Sequence, residues 1–252
     1  MKGSGGRHAA LVAAGILVTR VLGYVRERVF AHYFGNGAAA DAFRAALRIP
    51  NALRNLLGEG TLSASFIPVY AALHEQRKDA ARALAGAILG LLLLASGILA
   101  VVGIAFAPAI TAIVAQGFDG PRRELTTVLV RILFPMTGLM VVSAWCLGIL
   151  NTHRRFFLPY AAPALWNVAG IAAMVGAAAW MEGSGLYGLS LALAWGTVVG
   201  SVLQVAIQLP ACWRLLGGIP LRFSFRTEGV GQVIVAWAPL VKFAVVLAIL
   251  PV

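Results

Sequence analysis

Nine ionisable side chains stand where an apolar chain can least accommodate them. Arg20, Arg26, Glu27 and Arg28 fall in the first long apolar stretch, and Asp41, Arg44, Arg48, Arg54 and Glu59 in the second. An arginine at mid-bilayer costs about 2.5–3.5 kcal/mol on insertion scales, so six turned towards lipid would cost on the order of 15 kcal/mol. Snorkelling relieves those near the ends of a span but not all six. The cheaper arrangement turns them towards a water-filled cavity lined by the two helices. Three acids cannot neutralise six arginines, so the cluster is net positive and an anion is its natural partner. The planar guanidinium fork suits phosphate, and several forks together suit a diphosphate. The competing arrangement is an internal ion-pair network holding the two helices together. Asp41, which follows a turn, also suits the N-cap of the second helix.

Helical spacing supports part of the cavity arrangement. Asp41, Arg44 and Arg48 are separated by three and four residues and share one stripe, as do Arg20 and Glu27, seven apart. Arg26 falls off the face of Arg20 in a straight helix, and a bend at Gly23 is expected to bring the two together. Pro50 removes a backbone hydrogen bond and is expected to kink the second span between Arg48 and Arg54. Broken helices at membrane depth are tolerated where they line a cavity, which is where transporters bind their substrates.

The elements that must position these groups are membrane spans. Of the 252 residues, 60% are hydrophobic and only 12% charged, against about 25% charged in soluble domains. Apolar runs longer than 18 residues predict transmembrane helices. They lie at about 9–34, 41–73 (interrupted by Pro50 and Pro68), 83–114, 125–150, 160–181 and 186–216, with a further apolar run at 233–252 after a polar connector. The fold class is therefore an all-α polytopic membrane protein: residues 1–218 form a six-span lobe, and residues 219–252 a connector and an incomplete or atypical seventh segment. With the N-terminus inside, the inside segments hold ten basic residues and the outside segments only Arg122 and Arg123. That bias predicts a cytoplasmic N-terminus and accounts for the formal charge of +11 without nucleic acid. The first twenty residues faintly resemble a signal peptide but carry no small-residue cleavage site, and are read as part of a retained first span. Cys146 and Cys212 lie in apolar surroundings and are read as inert thiols. His8, His32, His74 and His153 are scattered and make no metal constellation. No cofactor, metal site or nucleophile motif is implied. Gly86 with Gly90, and Gly196 with Gly200, stand four apart and would allow close helix approach; the alternative is that glycine is simply common in this chain.

Several motifs in order carry a resemblance. The stretch from Thr19 to Glu27 (TRVLGYVRE) resembles the first-span signature of the MurJ (MviN) lipid II flippases. Ala40-Asp41-Ala42-Phe43, the run Arg48 to Arg54 (RIPNALR), Gly58-Glu59-Gly60 and Ser65 to Tyr70 (SFIPVY) resemble its second-span signature. Phe134-Pro135, Gly148 to Thr152 (GILNT), Phe157-Leu158-Pro159, Pro163, Asn167 and the segment from Gln204 to Pro210 are similar to its later spans. The resemblance covers roughly residues 8–215. It implies a non-enzymatic membrane transporter of the multidrug/oligosaccharidyl-lipid/polysaccharide flippase superfamily, in the bacterial cytoplasmic membrane and active in cell-wall biogenesis. Its substrate would be lipid II, an undecaprenyl-pyrophosphate-linked disaccharide peptide, moved from the cytoplasmic to the periplasmic leaflet by alternating access. By the resemblance, Arg20, Arg26 and Arg54 would take the pyrophosphate and sugar end of the substrate. Asp41 would couple or gate, and Glu59 matches a recurring acidic position. Arg28, Arg44 and Arg48 would add to the electrostatics of the cavity.

Family members have two six-helix lobes and two further helices. This chain stops at Val252, so the second lobe is expected to be missing, and with it a further cavity arginine, any cation site and the groove for the lipid tail. A lost C-terminal half is therefore an expected partner, alongside membrane lipids. Other readings are an exporter of drugs or polysaccharides from the same superfamily, a membrane enzyme acting on polyprenyl pyrophosphates, and a non-functional fragment. Apolar drugs do not need six arginines, and pyrophosphate chemistry ordinarily needs clustered carboxylates for Mg²⁺.

Overall fold

The computed structural model describes residues 3–57, 59–180, 185–219 and 221–236, and every regular element among them is a helix. The helices are α1 (Gly3–Phe34), α2 (Ala38–Leu57), α3 (Glu59–Gln76), α4 (Lys78–Ala105), α5 (Ala107–Val114), α6 (Gly120–Leu133), α7 (Met136–Thr152), α8 (Phe157–Ala161), α9 (Pro163–Trp180) and α10 (Gly185–Leu216). Five stretches are long and apolar enough to cross a bilayer: His8–Phe34, Lys78–Ala105, Gly120–Thr152, Phe157–Trp180 and Gly185–Leu216. The second expected span is the exception. It is two helices, α2 and α3, and the charges on α2 hold it below the apolarity of the other five.

Proline explains most of the joints. Pro108 opens α5, Pro121 opens α6 and Pro135 precedes α7, and in each place the missing N–H costs least in a first turn. Neither Pro50 nor Pro68 ends a helix: α2 holds Pro50 inside it and runs to Leu57, and α3, from Glu59, holds Pro68. The first helix likewise runs unbroken through Gly23.

Two apolar cores hold the helices. At the end bearing the N-terminus, Phe66, Tyr70, Leu84, Ile88, Trp145, Ile149 and Cys212 pack α3, α4, α7 and α10 together. At the opposite end, Phe30, Phe34, Phe43, Leu129, Phe134 and Met174 join α1, α2, α6 and α9. Cys146 and Cys212 are both buried and free, in keeping with inert thiols. A polar seam runs beside the first core. The Ser143 hydroxyl accepts from Gln204 Nε2 at 2.9 Å and from Gln208 Nε2 at 2.8 Å, using both of its lone pairs.

The two glycine pairs do different things. A Cβ at Gly196 would lie 2.3 Å from the Ala173 Cβ, and one at Gly200 would lie 2.8 Å from the Trp166 Cα. These glycines let α9 and α10 touch backbone to backbone, as expected. Gly86 and Gly90 do not receive a helix. They receive the extended connector: Arg222 N–H donates to the Gly86 carbonyl at 3.2 Å, and a Cβ at Gly90 would lie 2.1 Å from the Arg222 carbonyl oxygen. Arg82 Nη2 donates to the Gly217 carbonyl at 2.8 Å, Arg77 pairs with Glu228, and Val230 and Val233 are buried in the first core. The connector is thus strapped onto α4. Of the expected seventh segment, residues 233–236 are helical and 237–252 lie outside the described residues.

Candidate functional site

The two charged helices are carried by different neighbours. α1 packs along α8 and α9, and α2 along α6 and α7. They meet at one end, where the Phe30 and Phe43 rings lie 5.8 Å apart and the Arg44 guanidinium lies 5.1 Å above the Phe30 ring. The packed face of α1 is small and polar. Gly15 sits against Tyr160, the Thr19 hydroxyl donates to the Tyr160 carbonyl at 2.8 Å, and Asn167 Nδ2 donates to the Thr19 carbonyl at 3.3 Å.

Arg26 belongs to that packed face and Arg20 does not. The Arg26 guanidinium lies 4.3 Å from the centre of the Trp166 ring, and its methylenes cross α9 at Gly170, where the absent side chain leaves room. A cation stacked on an indole face in this way keeps its charge while part of its surface is dry. Its Nη2 also donates to Glu27 Oε1 at 2.5 Å. Arg20 and Arg28 are exposed. Six residues of helix carry Arg20 about 120° round the axis from Arg26, and without a break at Gly23 that separation persists. α1 stays helical through Gly23, with Arg26 on the packed face and Arg20 exposed.

On α2, Asp41 sits in the first turn with its backbone N–H bonded to the Gly37 carbonyl at 3.2 Å. Its carboxylate does not cap the helix. It accepts from Arg122 Nη2 at 2.5 Å, across 81 residues of sequence, while the Arg122 guanidinium lies 3.6 Å from the centre of the Phe118 ring. Both partners are a third or more exposed, so screening keeps the pair at roughly 0.5–1 kcal/mol. Arg44, Arg48, Asp41 and Arg122 line one cleft of about 400 Å³, which confirms the stripe read from their spacing. By sequence Arg122 is only one charge of a loop that also holds Asp119, Arg123 and Glu124, and nothing local marks it as the partner of Asp41. Arg54 is half-buried, and its Nε is buried without a hydrogen-bond partner. Glu59 begins α3, and its side chain lies outside the described residues. Along the helix axes, at about 1.5 Å per residue, Arg20 lies roughly 21 Å from the end of α1 and Arg54 roughly 24 Å from the start of α2, so the two share a depth.

Of the six arginines, only Arg26 takes a carboxylate among the described side chains. A self-neutralised ion-pair network between α1 and α2 is not what these residues form.

Two histidines that looked scattered come together at the other end. The His74 and His153 rings are 4.5 Å apart, and the Tyr70 hydroxyl lies 3.0 Å from His153 Nε2. Burial first, and then the neighbouring His74, push His153 below the ordinary histidine value.

An all-helical lobe whose first two helices carry the cavity charges defines a class: a polytopic helical membrane protein with cationic spans. The fold is shared with a lipid II flippase MurJ in an inward closed conformation, at a TM-score of 0.73 and 22% identity over 94% of this chain and 48% of that one. It is also shared with an outward-facing multidrug resistance MATE family transporter, at a TM-score of 0.68 and 19% identity over 94% and 52%. The family model for the lipid II flippase MurJ matches residues 30–249. The lipid II flippase MurJ of Burkholderia cenocepacia is 40% identical over 249 residues, 95% of this chain and 47% of that protein. A probable lipid II flippase MurJ of Bdellovibrio bacteriovorus is 36% identical over 208 residues, 80% of this chain and 38% of that one. The chain belongs to the MurJ lipid II flippase family, a family of transporters rather than catalysts, and is a multi-pass protein of the bacterial inner membrane. It spans about half the length of the curated relatives it matches.

Proposed function

We propose that this chain is the N-terminal lobe of a lipid II flippase, working with a second lobe by alternating access to move the lipid-linked precursor from the cytoplasmic to the periplasmic leaflet. The observation that carries the reading is the charge imbalance on α1 and α2: six arginines, one of them carboxylate-paired among the described side chains. Such a set is incomplete without an anion, and a diphosphate supplies one. The fold alone does not separate this from multidrug transport, since both kinds of transporter share it; the arginines favour a phosphate-bearing lipid. Arg20, Arg26 and Arg54 take the diphosphate and sugar end of the substrate, with Arg26 braced by Trp166. Asp41 and Glu59 couple or gate, and Arg28, Arg44 and Arg48 set the potential along the path. Residues 1–218 are the lobe, and residues 219–252 the connector and seventh segment. The basic residues collected at the end that holds His8 support a cytoplasmic N-terminus.

The test joins this chain to the C-terminal half of the Burkholderia cenocepacia relative, in cells depleted of their own flippase. The unsubstituted fusion rescues growth. Arg26→Ala and Arg54→Ala abolish rescue at unchanged membrane levels, and Arg26→Lys restores part of it. Normal rescue by both alanine variants, or failure of the parent fusion, overturns the proposal.

A further inference from the structure

A second basic cleft lies at the opposite end of the lobe from the Asp41 cleft, outside the proposed substrate path. It measures about 520 Å³ and forms where the start of α1, the turn between α7 and α8, and the end of α10 meet. Its basic groups are His8 from the first element, Arg154 and Arg155 from the second, and Arg214 from the third. No acidic residue lines it, and none of the three arginines takes a carboxylate among the described side chains. Two other basic residues at this end are occupied: Arg77 by Glu228, and Arg82 by the Gly217 carbonyl.

Between the charges the surface is apolar, with Leu11, Leu150 and Leu215 as a floor. The His8 ring closes one side against Phe156 at 5.0 Å. Membrane-surface charge bias and the α7 dipole both account for basic residues at a helix end. Neither accounts for three separate elements converging on one concavity, or for the conformation of Arg154. Its φ is 58°, the only positive value at a non-glycine among the described residues. In that left-handed position its N–H donates to the Asn151 carbonyl at 3.0 Å, closing the end of α7. Glycine would take this place more cheaply, so an arginine there holds its charge at the cleft against a local backbone cost.

A cationic rim over an apolar floor, at the level where helices leave the bilayer, matches one ligand chemistry: a phosphate head group with acyl chains attached. We propose that this cleft binds the phosphate of an anionic bilayer phospholipid. The site is separate from the substrate arginines, since Arg20 lies about 18 Å along α1 from His8. It rests on the orientation proposed above only for the name of the leaflet, which would be the cytoplasmic one.

The test uses the whole chain in nanodiscs of phosphatidylcholine, with bound lipid counted by native mass spectrometry after titration with phosphatidylglycerol. The expected result is that phosphatidylglycerol binds at least 10-fold more tightly than phosphatidylcholine. The triple variant Arg154→Gln, Arg155→Gln, Arg214→Gln should erase that preference, while Arg123→Gln, exposed at the opposite end, leaves it intact. The single variant Arg214→Gln, which leaves the α7 turn untouched, should weaken it several-fold and guards against a folding defect in the triple. Retained preference in both cleft variants overturns the site. Displacement of phosphatidylglycerol by millimolar inorganic phosphate would mark a free-phosphate site instead. Tighter protection of the cleft by undecaprenyl diphosphate than by phosphatidylglycerol would assign it to the substrate. Loss of rescue in the growth experiment leaves this binding readout unchanged, so the two proposals fail separately.

Discussion

Replacing Gly196 by alanine adds a single methyl group at the tightest point of the α9–α10 crossing. That methyl would stand 2.3 Å from the Ala173 Cβ and 3.1 Å from the Ala169 carbonyl oxygen. Two carbons settle at about 3.5–4.0 Å, so the helices must part by roughly 1.5 Å or bend. Neither partner is the end of a flexible side chain that could swing away. α9 and α10 form the most extensive helix pair in the lobe, and separating them loosens contacts along its length. Overpacking of this kind costs about 1–3 kcal/mol. Alanine is also the better helix former by roughly 1 kcal/mol, which would hide part of the loss. Gly176→Ala removes that confusion: it lies within α9, and a Cβ there would meet nothing within 4 Å. The difference between the two variants isolates the steric part, about 1–3 kcal/mol, or a 5- to 150-fold change in the folding equilibrium. The assay is denaturant unfolding of the purified chain in mild detergent, followed by helical circular dichroism. Gly176→Ala should be neutral or stabilising and Gly196→Ala clearly destabilising. Equal midpoints for the two would show that α9 and α10 do not touch backbone to backbone.

Further outcomes follow from single contacts. His153, at the end of α7 and outside the spans, is held below its unfolded value of about 6.5. The neutral ring is favoured by folding, so its contribution is whole above that value and is lost as pH falls through the lower folded value. The thermal midpoint should therefore drop between pH 7 and pH 5, and His153→Gln should shrink the drop; an identical pH profile for the variant would exclude His153 as its source. Trp145 is fully buried and donates its indole N–H to the Ala85 carbonyl at 3.0 Å. Trp145→Phe removes that bond and leaves a void, at a cost of about 1–3 kcal/mol, and a change under about 0.5 kcal/mol in the same unfolding experiment would refute it.

The spans were legible because each depends on local composition: apolar runs placed five crossings, although the joints at Phe106, Phe134 and Ala162 divide runs that composition reads as continuous. The stripe of Asp41, Arg44 and Arg48 was legible for the same reason, since spacing along one helix fixes a shared face. What sequence concealed was set by distant neighbours. Arg122 reaches Asp41 from α6, and His153 meets His74 across 79 residues, so neither pairing leaves a local mark. The packed face of α1 was hidden in the same way, because Asn167 and Tyr160 meet Thr19 from more than 140 residues away. Gly86 and Gly90 were correctly read as a place of close approach, but spacing alone cannot say whether the visitor is a helix or an extended strand.

That extended visitor has a consequence for how the chain can vary. At Arg222 the strap meets α4 through main-chain atoms, its N–H bonded to the Gly86 carbonyl and its own carbonyl resting against Gly90. Side chains along the strap are therefore free to drift, because any residue but proline at 222 offers the same two groups. The burden of heredity falls instead on Gly90, more than a hundred positions upstream, where even a methyl would strike a carbonyl oxygen. Val230 and Val233 thus enter the first core from a fixed mooring whose specification is written in a different helix.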